Sequence, residues 1–205
     1  MIMLILGLLI FLGIHCVGFA PEWRQRRVDS MGLLPWKGLY SLIALAGFVL
    51  IILGFQRARL DPVVLYTSPA WLGHLNALFT LVAFILLAAA YVPGNRLRAR
   101  IGHPMVVATK VWAFSHLLSI GLLHDVVLFG AFLVWAIVAF ARLRRRDRAQ
   151  GVTYAPGTLK GDIITAVPYT HLTLPPTREV VTSAVAHANT QTTQHPRHRS
   201  RGVRR

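Results

Sequence analysis

The sequence predicts an all-α integral membrane protein, a bundle of about five transmembrane helices with a disordered C-terminal tail. Apolar runs of about 18 or more residues recur along the chain, and runs of this length are typical of membrane-spanning helices. Only 14% of the 205 residues are charged, whereas a soluble domain has about a quarter. The mean hydropathy of +0.54 agrees with a membrane protein.

The formal net charge of +15 is the second global feature of the chain. A charge of this size would suit a nucleic-acid-binding protein, but the arginines cluster in short connections between apolar runs. Membrane proteins place arginines there because of the positive-inside bias. We therefore expect the lipid bilayer as a partner and exclude nucleic acid. The single cysteine, Cys16, excludes an intrachain disulfide framework.

The first two predicted helices occupy residues 1–20 and 36–55. The first lacks a basic region at its start, and His15 interrupts its apolar run. We therefore interpret it as a retained membrane helix rather than a cleaved signal peptide. Residues 21–35 form a polar connection that contains three arginines.

Three further helices follow a loop at residues 56–69. The third ends before Pro93, Gly94 and Asn95, which together form a strong stop signal. A very tight turn at His124 and Asp125 separates the last two helices. The predicted ranges are 71–92, 102–123 and 126–141.

The arginines also predict how the five helices cross the membrane. One side holds loops 21–35, 93–104 and 142–150 with eleven arginines, and the other side holds two. The positive-inside rule places the arginine-rich side in the cytoplasm and the N-terminus outside. We therefore expect the chain to cross the membrane several times.

The composition changes after residue 150, which ends the transmembrane domain at 1–150. We expect residues 151–167 to be a cytoplasmic polar segment that leads towards a further helix, which we expect to be absent from this chain. Residues 168–205 have no helical period and little hydrophobicity, so we expect them to be disordered. The run PYTHLTLPPTREVV resembles translated adapter sequence, and we therefore interpret residues 168–205 as a non-native tail.

The fourth predicted helix, GHPMVVATKVWAFSHLLSIGLL, is the one most suggestive of a site. It carries Lys110 and His116 at membrane depth, where ionisable groups are costly and usually mark a functional interior. Trp112, Ser115 and His116 fall on one helical face together with Ser119. We expect this face to point into the bundle.

Several stretches resemble the NnrU family of bacterial membrane proteins. They are, in order, LGLLIFLGIH, WKGLYSLIALAGFVLI, DPVVLY, AYVPGNR, GHPMVVATKVWAFSHLL, LRRRDRA and LKGDII. This family is similar to the zeta-carotene isomerases of plants and cyanobacteria. For that branch, the resemblance implies a membrane-embedded haem b held by two histidines and a cis-to-trans isomerisation of a carotenoid double bond. For the bacterial branch, it implies a link to nitrite and nitric oxide reduction.

Carried over by motif, the resemblance implies that His15 and His116 are the two axial ligands of the haem. It implies no role for His74 or His103. Helix geometry places His116 about 8 Å deeper than His15, an offset that helix tilt reduces. Alternatively, each histidine is hydrogen-bonded to a neighbouring helix without any cofactor.

Trp112 and Lys110 are the accompanying cofactor-site residues. Trp112 either flanks a porphyrin or polyene, or simply packs in the core. Lys110 either reaches the cytoplasmic interface or pairs with a haem propionate. His124 and Asp125 are either a proton-handling pair or an ordinary turn.

Two functions remain open from the sequence. The first is a haem-binding enzyme or redox protein that either isomerises a double bond of a lipophilic polyene or supports nitrogen-oxide respiration. The second is a haem-free accessory membrane protein, for example an assembly factor or a small transporter component. A secondary transporter is less favoured because no inverted repeat is visible. The oligomeric state is not determined by the sequence.

Overall fold

The computed structural model describes the backbone of residues 1–172 and the side chains of residues 1–165. The predicted all-α fold is confirmed, because this part of the chain consists of helices without a named strand. Met1–Tyr169 form one compact unit. The helices are α1 (Ile2–His15), α2 (Pro21–Met31), α3 (Leu33–Ala58), α4 (Trp71–Tyr91), α5 (Arg96–Ile101), α6 (Pro104–Ser119), α7 (Leu123–Ala149) and α8 (Leu159–Leu172).

Four of the five predicted spans are long and apolar enough to cross a membrane, within the described residues. They are α1 with the 3₁₀ turn that extends it to Phe19, α3, α4 and α7. The predicted fourth span is shorter than expected, because α6 has 16 residues and a length of about 24 Å. It still runs antiparallel along α7, with His103 near Asp147 and His116 near Phe129.

The helices α1 and α3 form the most extensive helix pair. Added Cβ atoms at Gly7, Gly47 and Gly54 would lie within 3.0 Å of the backbone of the facing helix. These helices are apolar on all sides, so no one side is distinguished from the others by its hydrophobicity. Small residues therefore decide which sides meet, since they let two backbones approach closely in a membrane.

The remaining spans pack through alanines. Helix α6 lies between α4 and α7, and α7 also contacts α1. Buried alanines occur on all three of these packed helices, namely Ala83, Ala89, Ala108, Ala113, Ala136 and Ala139. The contacts therefore place the long helices in the order α3, α1, α7, α6, α4, with α7 joining the two halves.

Some connections differ from their prediction. The polar connection 21–35 contains helix α2, which ends at Met31 and is followed by Gly32, whose φ of +87° favours glycine. Helix α5 follows the predicted stop signal and begins where the Asn95 side chain accepts a hydrogen bond from the Arg98 amide at 2.7 Å.

The predicted turn at His124 and Asp125 is wrong. Both residues belong to the first turn of α7, where they are buried. The chain reverses at residues 120–122 instead. A backbone bridge from Val64 to Leu122 holds this reversal, so the loop after α3 supplies hydrogen bonds that the local sequence does not reveal.

The segment after residue 150 returns to the body of the protein. The amide of Arg96 donates to Asp162 at 2.7 Å, and the amide of Thr158 donates to the Gly94 carbonyl at 2.7 Å. Helix α8 then continues to Leu172, past residue 168, where we predicted disorder to begin. The rest of the predicted tail, from residue 173, lies outside the described residues.

Candidate functional site

The polar face predicted for α6 points into the bundle. Ser115 is 1% exposed, and its hydroxyl donates to the Trp112 carbonyl at 2.9 Å. Nδ1 of His116 donates to the same carbonyl at 2.8 Å. A neutral imidazole that donates through Nδ1 keeps a lone pair on Nε2.

Aromatic rings surround the His116 imidazole. It stacks on Phe129 of α7, with centroids 4.4 Å apart and ring planes 24° apart. The Trp112 ring lies 5.5 Å away on its own helix. These contacts fix the imidazole in an apolar environment at the α6–α7 interface.

His15 shows the same hydrogen-bonding pattern near the end of α1. Its Nδ1 donates to the Phe11 carbonyl at 2.6 Å, which again leaves the lone pair on Nε2. The ring meets Tyr40 of α3 at 5.7 Å and Trp135 of α7 at 6.1 Å, in both cases edge to face.

The two histidines contact different turns of α7. His116 meets Phe129 and His15 meets Trp135, and six residues of helix separate these positions by about 9 Å. The offset expected from the sequence is therefore present.

Aromatic rings fill the path between the two imidazoles. Phe11 lies 5.9 Å from Phe132, and Phe132 lies 5.6 Å from Trp112. Two axial ligands must face one iron from opposite sides of a porphyrin. Each imidazole donates through Nδ1, as a ligating histidine can, but in this arrangement the pair does not fit a single haem.

A cavity of about 220 Å³ lies between α4, α6 and α7. Its wall is mainly apolar and aromatic, with Phe84, Trp112 and Phe132, and it includes the hydroxyl-bearing Thr80 and Thr109. Such a lining is typical of a site for a lipophilic ligand. Trp112 lines this cavity and also packs edge to face on Phe129 and Phe132.

Lys110 lies elsewhere on α6. Its ammonium nitrogen is 3.9 Å from the centroid of the Phe140 ring on α7, an arrangement that stabilises a cation by the ring quadrupole. Lys110 is absent from the wall of the cavity beside Trp112.

A second polar cluster, which the sequence did not reveal, joins His103, Asp147 and Tyr154. Nε2 of His103 lies 2.6 Å from Oδ2 of Asp147, and the Tyr154 hydroxyl donates to the same oxygen. Burial, together with this hydrogen bond, raises the pKa of the Tyr154 phenol. One available signal was Asp147 itself, the only carboxylate within the arginine run 142–148.

The opposite end of α7 carries His124 and Asp125, whose side chains lie 3.3 Å apart. At the same end of the helix pair, the Tyr66 hydroxyl donates to the carbonyls of Leu117 and Ile120. A Cβ at Gly121 would lie 1.9 Å from the Tyr66 carbonyl oxygen. The loop after α3 therefore covers this end of α6 and α7.

Comparison with known proteins assigns the family. A family model described as NnrU protein matches residues 3–196. The chain belongs to the NnrU family. No match was found among curated proteins or among solved structures.

The NnrU match covers every site described above, and it confirms the resemblance seen in the sequence motifs. Among the described residues of this NnrU-family chain, no three histidine, cysteine, aspartate or glutamate side chains group as ligands of a metal ion.

Proposed function

We propose that this NnrU-family chain binds a lipophilic polyene between α4, α6 and α7 and takes part in cis-trans isomerisation of one of its double bonds. The observation that carries the proposal is the apolar cavity with Phe84, Trp112 and Phe132 in its wall. Flat aromatic side chains suit a flat conjugated chain, because stacked contacts bury much apolar surface.

The size of the cavity limits how the ligand binds. At about 220 Å³ it is smaller than the usual range of roughly 300–1,000 Å³ for a complete ligand site. It would therefore hold a segment of a long polyene, with the rest of the chain in the surrounding lipid. This arrangement suits an activity directed at one double bond within a long chain.

The apolar wall also favours isomerisation over direct nitrogen-oxide chemistry. Nitrite is a small anion and needs charged or hydrogen-bonding partners in a low-dielectric site. The cavity offers two threonine hydroxyls and no charged side chain. A role in nitrite reduction would thus require another part of the protein.

In the proposed orientation, the arginine-rich ends of the helices face the cytoplasm of the bacterial inner membrane and the N-terminus lies outside. The antiparallel contact of α6 with α7 supports this proposal, because it carries the chain from the end near Asp147 to the end near His124. The arginines of α5 and of the C-terminal end of α7 then share one side.

Haem b ligation by His15 and His116 is the second proposal. It is favoured by the Nδ1 hydrogen bond of each imidazole, because a neutral imidazole that donates through Nδ1 has its lone pair on Nε2. Because the rings of Phe11 and Phe132 lie between them, the ligation needs a different packing of α1 against α7. A haem bound there would supply redox or Lewis-acid chemistry.

The polyene proposal is tested with cis-parinaric acid, a fluorescent conjugated fatty acid, added to the full-length detergent-purified chain. Ala83 is 5% exposed and lines the cavity, so Ala83→Phe should fill it and weaken binding by roughly tenfold or more. Ala77→Phe adds the same ring to an exposed position of the same helix and should bind normally. Thr80→Phe is a second filling variant, should Ala83→Phe aggregate.

Equal binding by wild type and both filling variants would overturn the cavity assignment. Haem is tested separately by a pyridine haemochrome assay on wild type, His15→Ala and His116→Ala, with the exposed His74→Ala as the control. Loss of a stoichiometric haem in the first two variants alone would support axial ligation. Polyene binding without haem would favour the haem-free accessory protein or an isomerase that uses no haem.

A further inference from the structure

A second cavity, of about 360 Å³, lies where α1 ends and the chain turns into α2. Its polar lining comes from three helices: His15 from α1, Arg24 from α2, and Lys37, Tyr40 and Ser41 from α3. The three α3 residues share one helical face by their spacing. This cavity is distinct from the apolar cavity between α4, α6 and α7.

The charge in this cavity is positive and uncompensated within the described residues. The basic members of the ion pairs among the described residues are Arg96, Arg146, His103 and His124. None of these ion pairs includes Arg24 or Lys37. On α2, the Asp29 carboxylate accepts a hydrogen bond from Gln25. Two cations that face one cavity repel each other unless an anion lies between them.

The hydrogen-bonding groups are suited to a phosphate. A guanidinium binds phosphate oxygens in a bidentate manner, and a lysine adds a point charge. The hydroxyls of Tyr40 and Ser41 add donors of variable direction.

The position of the cavity indicates an amphiphilic ligand. Trp36, in its wall, is buried and packs edge to face on Trp23 at 5.7 Å, as is typical of aromatic residues near a membrane surface. It lies at the start of α3, beside an arginine-rich connection that the positive-inside rule places in the cytoplasm. Basic pockets between transmembrane helices on that side bind anionic lipid head groups.

We propose that this cavity binds the phosphate head group of an anionic amphiphile, with the hydrocarbon chain in the bilayer beside α1 and α3. Arg24 and Lys37 neutralise the phosphate, and Tyr40 and Ser41 donate hydrogen bonds to it. The inference is independent of the polyene cavity, which involves other helices and other residues.

The test uses the full chain in detergent and measures its thermal midpoint against added phosphatidic acid, phosphatidylcholine or inorganic phosphate. Phosphatidic acid should raise the midpoint of the wild type, and phosphatidylcholine should not. Arg24→Gln/Lys37→Gln should need roughly tenfold more phosphatidic acid or higher for the same shift. Arg26→Gln/Arg100→Gln removes two exposed charges outside the cavity and should behave as wild type.

Should the double variant fail to fold, Ser41→Ala with Tyr40→Phe keeps both charges and should still weaken the response. Equal responses of the wild type, the cavity variants and the control variant would overturn the proposal. A response to inorganic phosphate equal to that to phosphatidic acid would support the phosphate site and identify a free anion as its ligand. A response to phosphatidic acid alone would support a lipid head group.

Discussion

Nε2 of His103 lies 2.6 Å from Oδ2 of Asp147. His103 immediately precedes α6, and Asp147 lies near the C-terminus of α7. Asp147 is 5% exposed although five arginines lie beside it in the chain. Tyr154 completes the cluster by donating to the same carboxylate. This cluster therefore ties the start of α6, the end of α7 and the following loop together.

Tyr154→Phe should lower the free energy of unfolding by about 1 kcal/mol, because it removes one hydrogen bond to a carboxylate while keeping the ring. The ring itself packs on Gly102, whose added Cβ would meet it at 2.8 Å. Thermal unfolding in detergent measures the change. Tyr91→Phe is the matched control, since Tyr91 is 72% exposed. Equal midpoints for the two variants would contradict a stabilising role for this hydrogen bond.

The stabilisation by Tyr154 should depend on pH at the alkaline end. Its pKa in the folded protein is raised above the ordinary value of 10.0, so the protonated phenol is favoured by folding. The contribution is fully present below pH 10.0 and is lost as pH rises through the higher folded-state pKa. The difference in thermal midpoint between wild type and Tyr154→Phe should therefore be constant below pH 10.0 and shrink above it. A constant difference across the alkaline range would be inconsistent with this coupling.

Gly54→Ala should destabilise the protein by about 1–3 kcal/mol through overpacking. Its Cβ would lie 2.3 Å from the backbone nitrogen of Leu4, and backbone cannot move aside as a flexible side chain does. Gly38→Ala, on the same helix, has open space within 4 Å and should be neutral or stabilising by up to about 1 kcal/mol. Thermal unfolding of the two variants compares them directly. The close α1–α3 approach would be refuted by a Gly54→Ala variant as stable as Gly38→Ala.

Gly121→Ala should release the loop after α3. A Cβ there would lie 1.9 Å from the Tyr66 carbonyl oxygen, so the bridge between Val64 and Leu122 cannot persist. Tryptic cleavage after Arg59 should become several times faster, because proteases act on segments that open. Gly130→Ala, with nothing within 4 Å of its Cβ, provides the control. Unchanged cleavage in Gly121→Ala would show that this loop is held by other contacts.

Helix type and approximate bounds were predictable because long apolar runs have few other stable structures in a membrane. The inward face of α6 was also predictable, since Ser115 and His116 share one side of a helix. The sequence showed as well that His15 and His116 differ in depth, because rise per residue is constant along a helix. These sequence patterns do not predict which helices pack against each other.

Only the tertiary structure determined which helices are neighbours. Apolar helices lack a directional signal, so the glycine contacts of α1 with α3 and the alanine contacts of α4, α6 and α7 select the pairs. That selection places aromatic rings between His15 and His116. It also unites His103 with Asp147, which are 44 residues apart in the chain. Short-range patterns determined the helices, and long-range packing, which depends on shape, determined the sites.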